Sequence, residues 1–356
     1  MLRNDMQRTH QEFFNYDYDV IKSLCTEKGV VLAAPAADYN RVWIRDCCEV
    51  AYCMLICGKY ELGKKILRGV FGILHRHNAN SHKIDHIIEY GKPHPTEGWQ
   101  LFHPLYDKDG NEMFHLNGWG WSQNDALGLF LFCIAKAEEI DEDFLTKKDL
   151  NFIQKLVLYL MVVRYWDCDH SVWEECPTEN SATITSCIAG LEQVKGLGIY
   201  VPEIMLQIGR RKQLELGNKH SHAHPVDLAH LQMYFPLGFS TNRDVLAGIQ
   251  AELACDYGFM RYPNDSYEAG EAGQPAQWPL GTLWAGLSCY MVGDVESAQD
   301  YLAHSDRLRL ENGDIPETYR ACLENGKTVY RACPHTPLTW AHDFSMALRH
   351  KLGLAE

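Results

Sequence analysis

The chain has 356 residues, 46% of them hydrophobic, and a formal net charge of −14 from 47 acidic against 33 basic residues. That length can bury a large core, while the acidic balance argues against a nucleic-acid partner or an anionic membrane surface. The 13 cysteines have no zinc-like spacing, Met1 to Asp5 lacks the apolar stretch of a signal peptide, and no membrane-length apolar run occurs, so a soluble cytoplasmic protein without a disulfide framework is expected.

Amphipathic helical spacing dominates the chain. Asp17 to Glu27 reads as a first helix, with Val20, Ile21 and Leu24 on one face, followed by a short extended piece, Gly29 to Pro35. A helix from Asp46 to about Cys57 is stopped by Gly58, and Glu61 to His75 forms its return. Residues 78–118 are long, polar and aromatic, and so long a loop is usually functional. Further helices are expected over Ala126 to Glu139, Lys147 to Arg164, Ser181 to Val194, Pro202 to Leu216 and Pro225 to Met233. Thr241 to Cys255, Trp278 to Val292, Ser297 to His304 and Leu338 to Leu352 complete the set. Strand-like runs are few and short.

Polar and aromatic turns recur near residues 45, 122, 174, 224, 263 and 317, with one outgoing and one returning helix between them. Six helical hairpins with their functional turns at one end describe an all-α, (α/α)6 toroid, its inner helices packing a central core and its turns gathered at one mouth. The turn Ser171-Val172-Trp173-Glu174-Glu175 sets two carboxylates beside a large aromatic ring. That combination suits a sugar, whose C–H face stacks on an indole while carboxylates take the hydroxyls and the glycosidic oxygen.

Five segments occur in order: Val42-Trp43-Ile44-Arg45-Asp46, Trp119 to Asp125, Ser171 to Glu175, Arg261 to Asp265, and Ile315-Pro316-Glu317-Thr318-Tyr319. Thr336 to His342 closes the series. Together they resemble glycoside hydrolase family 15, the glucoamylase family, from about Gly29 to Trp340; the phosphorylase kinase α/β subunits share the barrel. The resemblance implies an inverting exo-α-glucosidase that releases glucose from non-reducing ends of small gluco-oligosaccharides. It makes Glu174 the general acid, with a proton held by repulsion from Glu175, and Glu317 the general base. Inversion needs room for a water, with carboxyls roughly 6.5–9.5 Å apart. By the same resemblance Tyr39 stands near the attacking water, Arg45 and Asp46 grip the outer hydroxyls, Arg261 and Glu175 hold the sugar, and Trp43, Trp119, Trp173 and Trp278 line the pocket. It calls for no cofactor and no metal, and for an oligosaccharide as the partner.

The sequence departs from the family at Thr318, where a glutamine is usual after the base, at Ser171, often Asp, and at Trp121-Ser122, which replaces Arg-Pro. A single catalytic domain, 1–356, without a separate carbohydrate-binding module is expected, and small soluble substrates with it. Two other functions remain open on the residues: a sugar-sensing module without turnover, like the kinase subunits, and a trehalose-cleaving enzyme. The plainer alternatives are core roles for Trp43, Trp173 and Trp340 and a helix-start ion pair for Arg45 and Asp46. His220, His222 and His224 read as solvated or cleft-lining and not as metal ligands.

Overall fold

A computed structural model describes residues 8–85, 100–113, 120–271 and 273–356. Its helices, in chain order, are α1 (His10–Leu24), α2 (Ile44–Ile56), α3 (Tyr60–Ser81), α4 (Asn124–Ile140), α5 (Lys147–Val162) and α6 (Ser181–Gly196). They continue with α7 (Glu203–Leu216), a 3-10 helix (Leu228–Met233), α8 (Arg243–Leu253), α9 (Pro279–Met291), α10 (Val295–Arg307) and α11 (Thr339–Lys351).

Local chemistry explains the ends. Thr9 and Thr146 begin α1 and α5 with capping boxes, in which Glu12 and Asp149 answer the cap's own N–H. Thr9 therefore starts α1 seven residues before the expected Asp17. Asn180, Asn242 and Asp294 cap α6, α8 and α10, and Pro279 opens α9 where its missing N–H costs nothing. The stretch expected as a helix to Met233 is helical only over Leu228–Met233, and as a 3-10 turn, with Asp227 as its cap.

Packing sorts these helices into two sets. α2 contacts α4, α4 contacts α6, α6 contacts the 3-10 helix, that helix contacts α9, α9 contacts α11, and α11 returns to α2, so the circuit closes. Around it α1 packs on α11, α3 on α2, α7 on α6, and α10 on α9. Members of the closed circuit are buried on nearly every side; α2 buries all its residues from Ile44 to Leu55 except Tyr52, including Cys47, Cys48 and Cys53. Free thiols pack there as small hydrophobes, and all 13 cysteines are free. α4 and α6 approach most closely at Gly128 and Gly190, where a Cβ on Gly190 would run into the Gly128 carbonyl oxygen. Among the described residues no helix is long and apolar enough to cross a membrane.

Three small antiparallel pairs decorate this frame. β1 (Val42–Trp43) pairs with β2 (Leu105–Tyr106), which ties the loop around residue 105 to the start of α2. β3 (Ala254–Cys255) pairs with β4 (Gly258–Phe259). β5 (Tyr319–Glu324) and β6 (Lys327–Ala332) form a hairpin of two six-residue strands that the helical spacing gave no hint of. Its turn is Asn325-Gly326, both with positive φ, at 51° and 74°. This is the pairing favoured in two-residue hairpin loops, because it matches the right-handed twist of the strands.

Candidate active site

The amino ends of α2, α9 and α11, with the loops before α6, α9 and α11, converge on one cavity of ≈ 280 Å³. Ten of the eleven site residues expected from the sequence line it: Tyr39, Trp43, Arg45, Asp46, Trp173, Glu174, Glu175, Arg261, Trp278 and Glu317. The eleventh, Trp119, lies outside the described residues. Helix amino ends carry partial positive charge, which suits a cavity lined by four carboxylates.

Glu174 sits on a strained turn. It and Ser171 both have positive φ, at 63° and 52°, a costly conformation for residues with a Cβ. Arg45 holds the turn from beneath. Its guanidinium donates to the carbonyls of Ser171 and Val172 at 3.0 and 3.2 Å, to Gln123 Oε1 at 2.6 Å, and to the buried Asp125 carboxylate. Arg45 Nη1 also lies 4.0 Å from Glu174 Oε1. The Arg45 donors are thus largely spent on protein acceptors, so its first duty is to shape the turn. Ser171, often Asp in relatives of this pattern, donates its hydroxyl to Asn180 Oδ1 at 2.9 Å and joins the turn to the cap of α6.

Glu174 Oε1 accepts the indole N–H of Trp43 at 2.7 Å. The neighbouring Glu175 was expected to repel it, but Glu175 is compensated: Arg261 donates to one oxygen at 2.7 Å and the Tyr262 hydroxyl to the other at 2.6 Å. Arg261 is held flat by both oxygens of Asp265 and lies over the rings of Trp173, Tyr262, Tyr267 and Trp278. Trp173 and Trp278 stand 5.6 Å apart, centroid to centroid, and the Trp173 N–H is fixed on Asp227 at 2.8 Å.

Glu317 is buried on the far wall. The Tyr39 hydroxyl donates to its Oε1 at 2.6 Å, and His335 Nδ1 meets its Oε2 at 2.7 Å. Burial pushes the Glu317 carboxyl up; the bonds from His335 and Tyr39 work against that rise. The Tyr39 ring lies 5.3 Å from the Trp43 ring, so each carboxylate is held by a different member of one contacting aromatic pair. Asp46 at the start of α2 completes the wall; burial pushes its carboxyl up to about 7, with Arg45 opposing. Thr318, in place of the usual glutamine, turns away and donates to Glu268 Oε2 at 2.7 Å.

A model of the family described as Glycosyl hydrolases family 15 matches residues 20–195. The chain belongs to glycoside hydrolase family 15. No curated protein matches it. Among solved structures, this family 15 glycosidase is similar to a wild-type glycosidase at 20% identity over 100% of both chains, with a TM-score of 0.80. It is also similar to a bacterial glucoamylase complexed with acarbose, at 16% identity over 97% of this chain and 56% of that one, TM-score 0.63. The glucoamylase of Saccharomycopsis fibuligera matches at 14% identity over 99% and 98% of the two chains, TM-score 0.64. At such identities the likeness speaks for the shared helical fold.

Sequence reasoning missed several groups of this family 15 site. Tyr267 lines the cavity and bonds the Tyr39 hydroxyl at 2.9 Å. Trp340 packs on Trp284 and Phe344 as a core residue should, yet it also lines the cavity. His335 was not singled out at all. The three histidines near residue 222 do not converge: His222 is exposed, His220 is buried and burial pushes its ring down to about 3, and His224 packs at a tilt against Tyr262. His220 and His224 line a second cavity of ≈ 580 Å³ that shares Trp173, Glu174 and Glu175 with the first. Among the described residues one set of metal-capable groups does gather: Glu268, Glu317, Cys333 and His335 offer ligand atoms within 4.8 Å of one another. Two of those atoms, Glu317 Oε2 and His335 Nδ1, are already bonded to each other.

Proposed function

We propose that this glycoside hydrolase is an inverting exo-α-glucosidase acting on small α-linked gluco-oligosaccharides, built as a single (α/α)6 toroid. One observation carries the reading: Glu174 and Glu317, 143 positions apart by subtraction of their numbers, line the same cavity and are held by different rings of the Tyr39–Trp43 pair. Two carboxylates facing one pocket on separate supports fit a water-mediated displacement.

In this mechanism Glu174 gives its proton to the glycosidic oxygen as the bond from that oxygen to the anomeric carbon breaks. Glu317 takes a proton from a water molecule, whose oxygen forms the new bond at the opposite face of that carbon. The released sugar is therefore the β-anomer. Asp46, Glu175 and Arg261 bind hydroxyls of the terminal ring, and Trp173 and Trp278 stack on its C–H faces. The second cavity, beyond Glu174, is where the departing part of the chain leaves.

A panel of α-linked disaccharides and malto-oligosaccharides, followed by proton NMR from the first seconds of reaction, tests this. Appearance of β-glucose before mutarotation is the expected result. Early α-glucose, or no hydrolysis of any α-glucoside on prolonged incubation, would overturn the reading. Glu174→Gln and Glu317→Gln should each lower kcat by roughly 10²–10⁴-fold, the usual worth of a positioned acid or base.

A further inference from the structure

His335 lies on the strand-like return that follows the β5–β6 hairpin. The pairing extends past the strands themselves: Cys333 N–H donates to the Thr318 carbonyl at 2.9 Å, and Glu317 N–H donates to the His335 carbonyl at 3.1 Å. The hairpin therefore sets His335 directly beside Glu317. There the ring touches two carboxylates, Nδ1 at 2.7 Å from Glu317 Oε2 and Nε2 at 3.0 Å from Asp38 Oδ2. A neutral imidazole has one N–H and one lone pair, so it can satisfy only one ionised carboxylate. Two carboxylate partners require either a doubly protonated ring or a proton on one of the acids. The Tyr39 ring stacks flat on His335, 3.9 Å centroid to centroid at 12°, an arrangement that favours a cationic ring.

We propose that His335 is the positioning residue of the catalytic base: as an imidazolium bridging Asp38 and Glu317, it fixes Glu317 and keeps it ionised in a site that burial would otherwise neutralise. The inference rests on Glu317 being the base. Electrostatics agree with it. The bond to Glu317, aided by Asp38, raises His335 to about 9 against the cost of its burial. The remaining titratable groups around the pair are Tyr39 and Tyr267, Asp46 across the cavity, Glu268 behind Thr318, and Cys333, whose sulfur lies 4.0 Å from Glu317 Oε2. Glu268 pushes the Glu317 carboxyl up, and the nearby cations act elsewhere, Arg320 on Glu268 at 3.6 Å and Arg41 on Asp38, so among the described residues His335 is the cation that bonds Glu317 itself. Asp38 anchors the ring from outside, with its own side chain 66% exposed.

The test is the pH profile of kcat at saturating malto-oligosaccharide for His335→Gln, His335→Ala and Asp38→Asn. Removing the charge lets Glu317 take up a proton at higher pH, so the acidic limb should move up by roughly one unit or more for both His335 variants, within the range of a lost opposite charge. Asp38→Asn should move it the same way by less, because solvent screens an exposed partner. His335→Gln retains an N–H donor without charge; a limb restored to its wild-type position by Gln would show that the bond alone matters and overturn the proposal. So would a uniform loss of kcat at every pH with no movement of the limb. Nitrogen-15 NMR of the wild-type imidazoles, assigned by difference with His335→Gln, provides a readout independent of turnover. It should show His335 protonated at both nitrogens at pH 7, and a neutral ring there overturns the proposal. Glu317→Gln is measured in parallel. If it keeps wild-type kcat, the assignment of the base has failed; if it is inactive and the His335 limb does not move, only the role of His335 has failed.

Discussion

The indole N–H of Trp43 reaches Glu174 Oε1 at 2.7 Å across 131 positions of sequence. Trp43 immediately precedes α2, and Glu174 sits on a strained turn before α6, so this one bond aligns two walls of the cavity. The acid of a glycosidase must point at an oxygen it does not hold in the resting state. In the proposed mechanism Glu174 is that acid, and the Trp43 donor fixes the orientation of its carboxyl group.

Trp43→Phe keeps the ring beside Tyr39 and deletes only the N–H. A hydrogen bond to a protonated, neutral carboxyl contributes about 0.5–1.5 kcal/mol. The expected result is a fall of roughly 2- to 10-fold in kcat/KM, with little change in thermal midpoint. Steady-state kinetics on maltotriose checks it, and unaltered kinetics would mean that Glu174 is oriented by other groups.

Asp46 can accept sugar hydroxyls with both oxygens only when ionised. With its carboxyl pushed up to about 7, lowering the pH through neutrality protonates it and removes those acceptors. kcat/KM should therefore fall as pH drops below about 7. In Asp46→Asn, KM should rise by about tenfold at pH 8, and the acidic limb of kcat/KM should move down to that of the other carboxylates. If Asp46→Asn retains the wild-type limb, another group sets it.

Away from the cavity, Asp17 on α1 is fully buried against Arg309 and His342, at 2.7 and 2.6 Å. Burial alone would raise its carboxyl, but the Arg309 guanidinium and the His342 ring overcome that and hold it well below the usual range. A depressed carboxyl contributes its full stability above the unfolded value, about 3.9, and loses it as pH falls through the folded value. Asp17→Asn should cost up to about 3–5 kcal/mol at pH 7, because it leaves the buried Arg309 with Asp306, at 3.5 Å, as its remaining counter-charge. The gap between variant and wild type should narrow below about pH 4. Urea unfolding at pH 7 and pH 3 measures both.

The α4–α6 crossing depends on two glycines. Gly190→Ala would press a methyl group onto the Gly128 carbonyl and onto Leu131, and the helices would have to move apart. Overpacking of this kind costs about 1–3 kcal/mol. A drop in urea midpoint without a change in slope is expected. Gly196→Ala, with open space around its Cβ, is the control and should be neutral or slightly stabilising.

Helix after helix was legible to within a few residues, since apolar spacing, caps and breakers are written locally. α6 and α9 follow their expected spans closely. α1 starts early because Thr9 and Glu12 form a capping box, a signal that stands in the sequence. The hairpin over residues 319–332 also had its signal, an Asn-Gly pair between two β-prone runs, which helical spacing on either side obscured. His335 depends on that hairpin, whose return brings position 335 back to position 317.

By itself the sequence determined an acidic, helix-rich chain and the residue types that could work a sugar bond. Spacing and composition act over a few residues and survive without the fold. The tertiary structure alone decided which groups touch. It turned Glu175 from a repelling neighbour into the partner of Arg261, and it put His335 and Asp38, 297 positions apart, on one hydrogen bond. Such contacts depend on how the closed circuit of helices packs, since a charge feels whatever lies within a few ångströms of it, however far off along the chain.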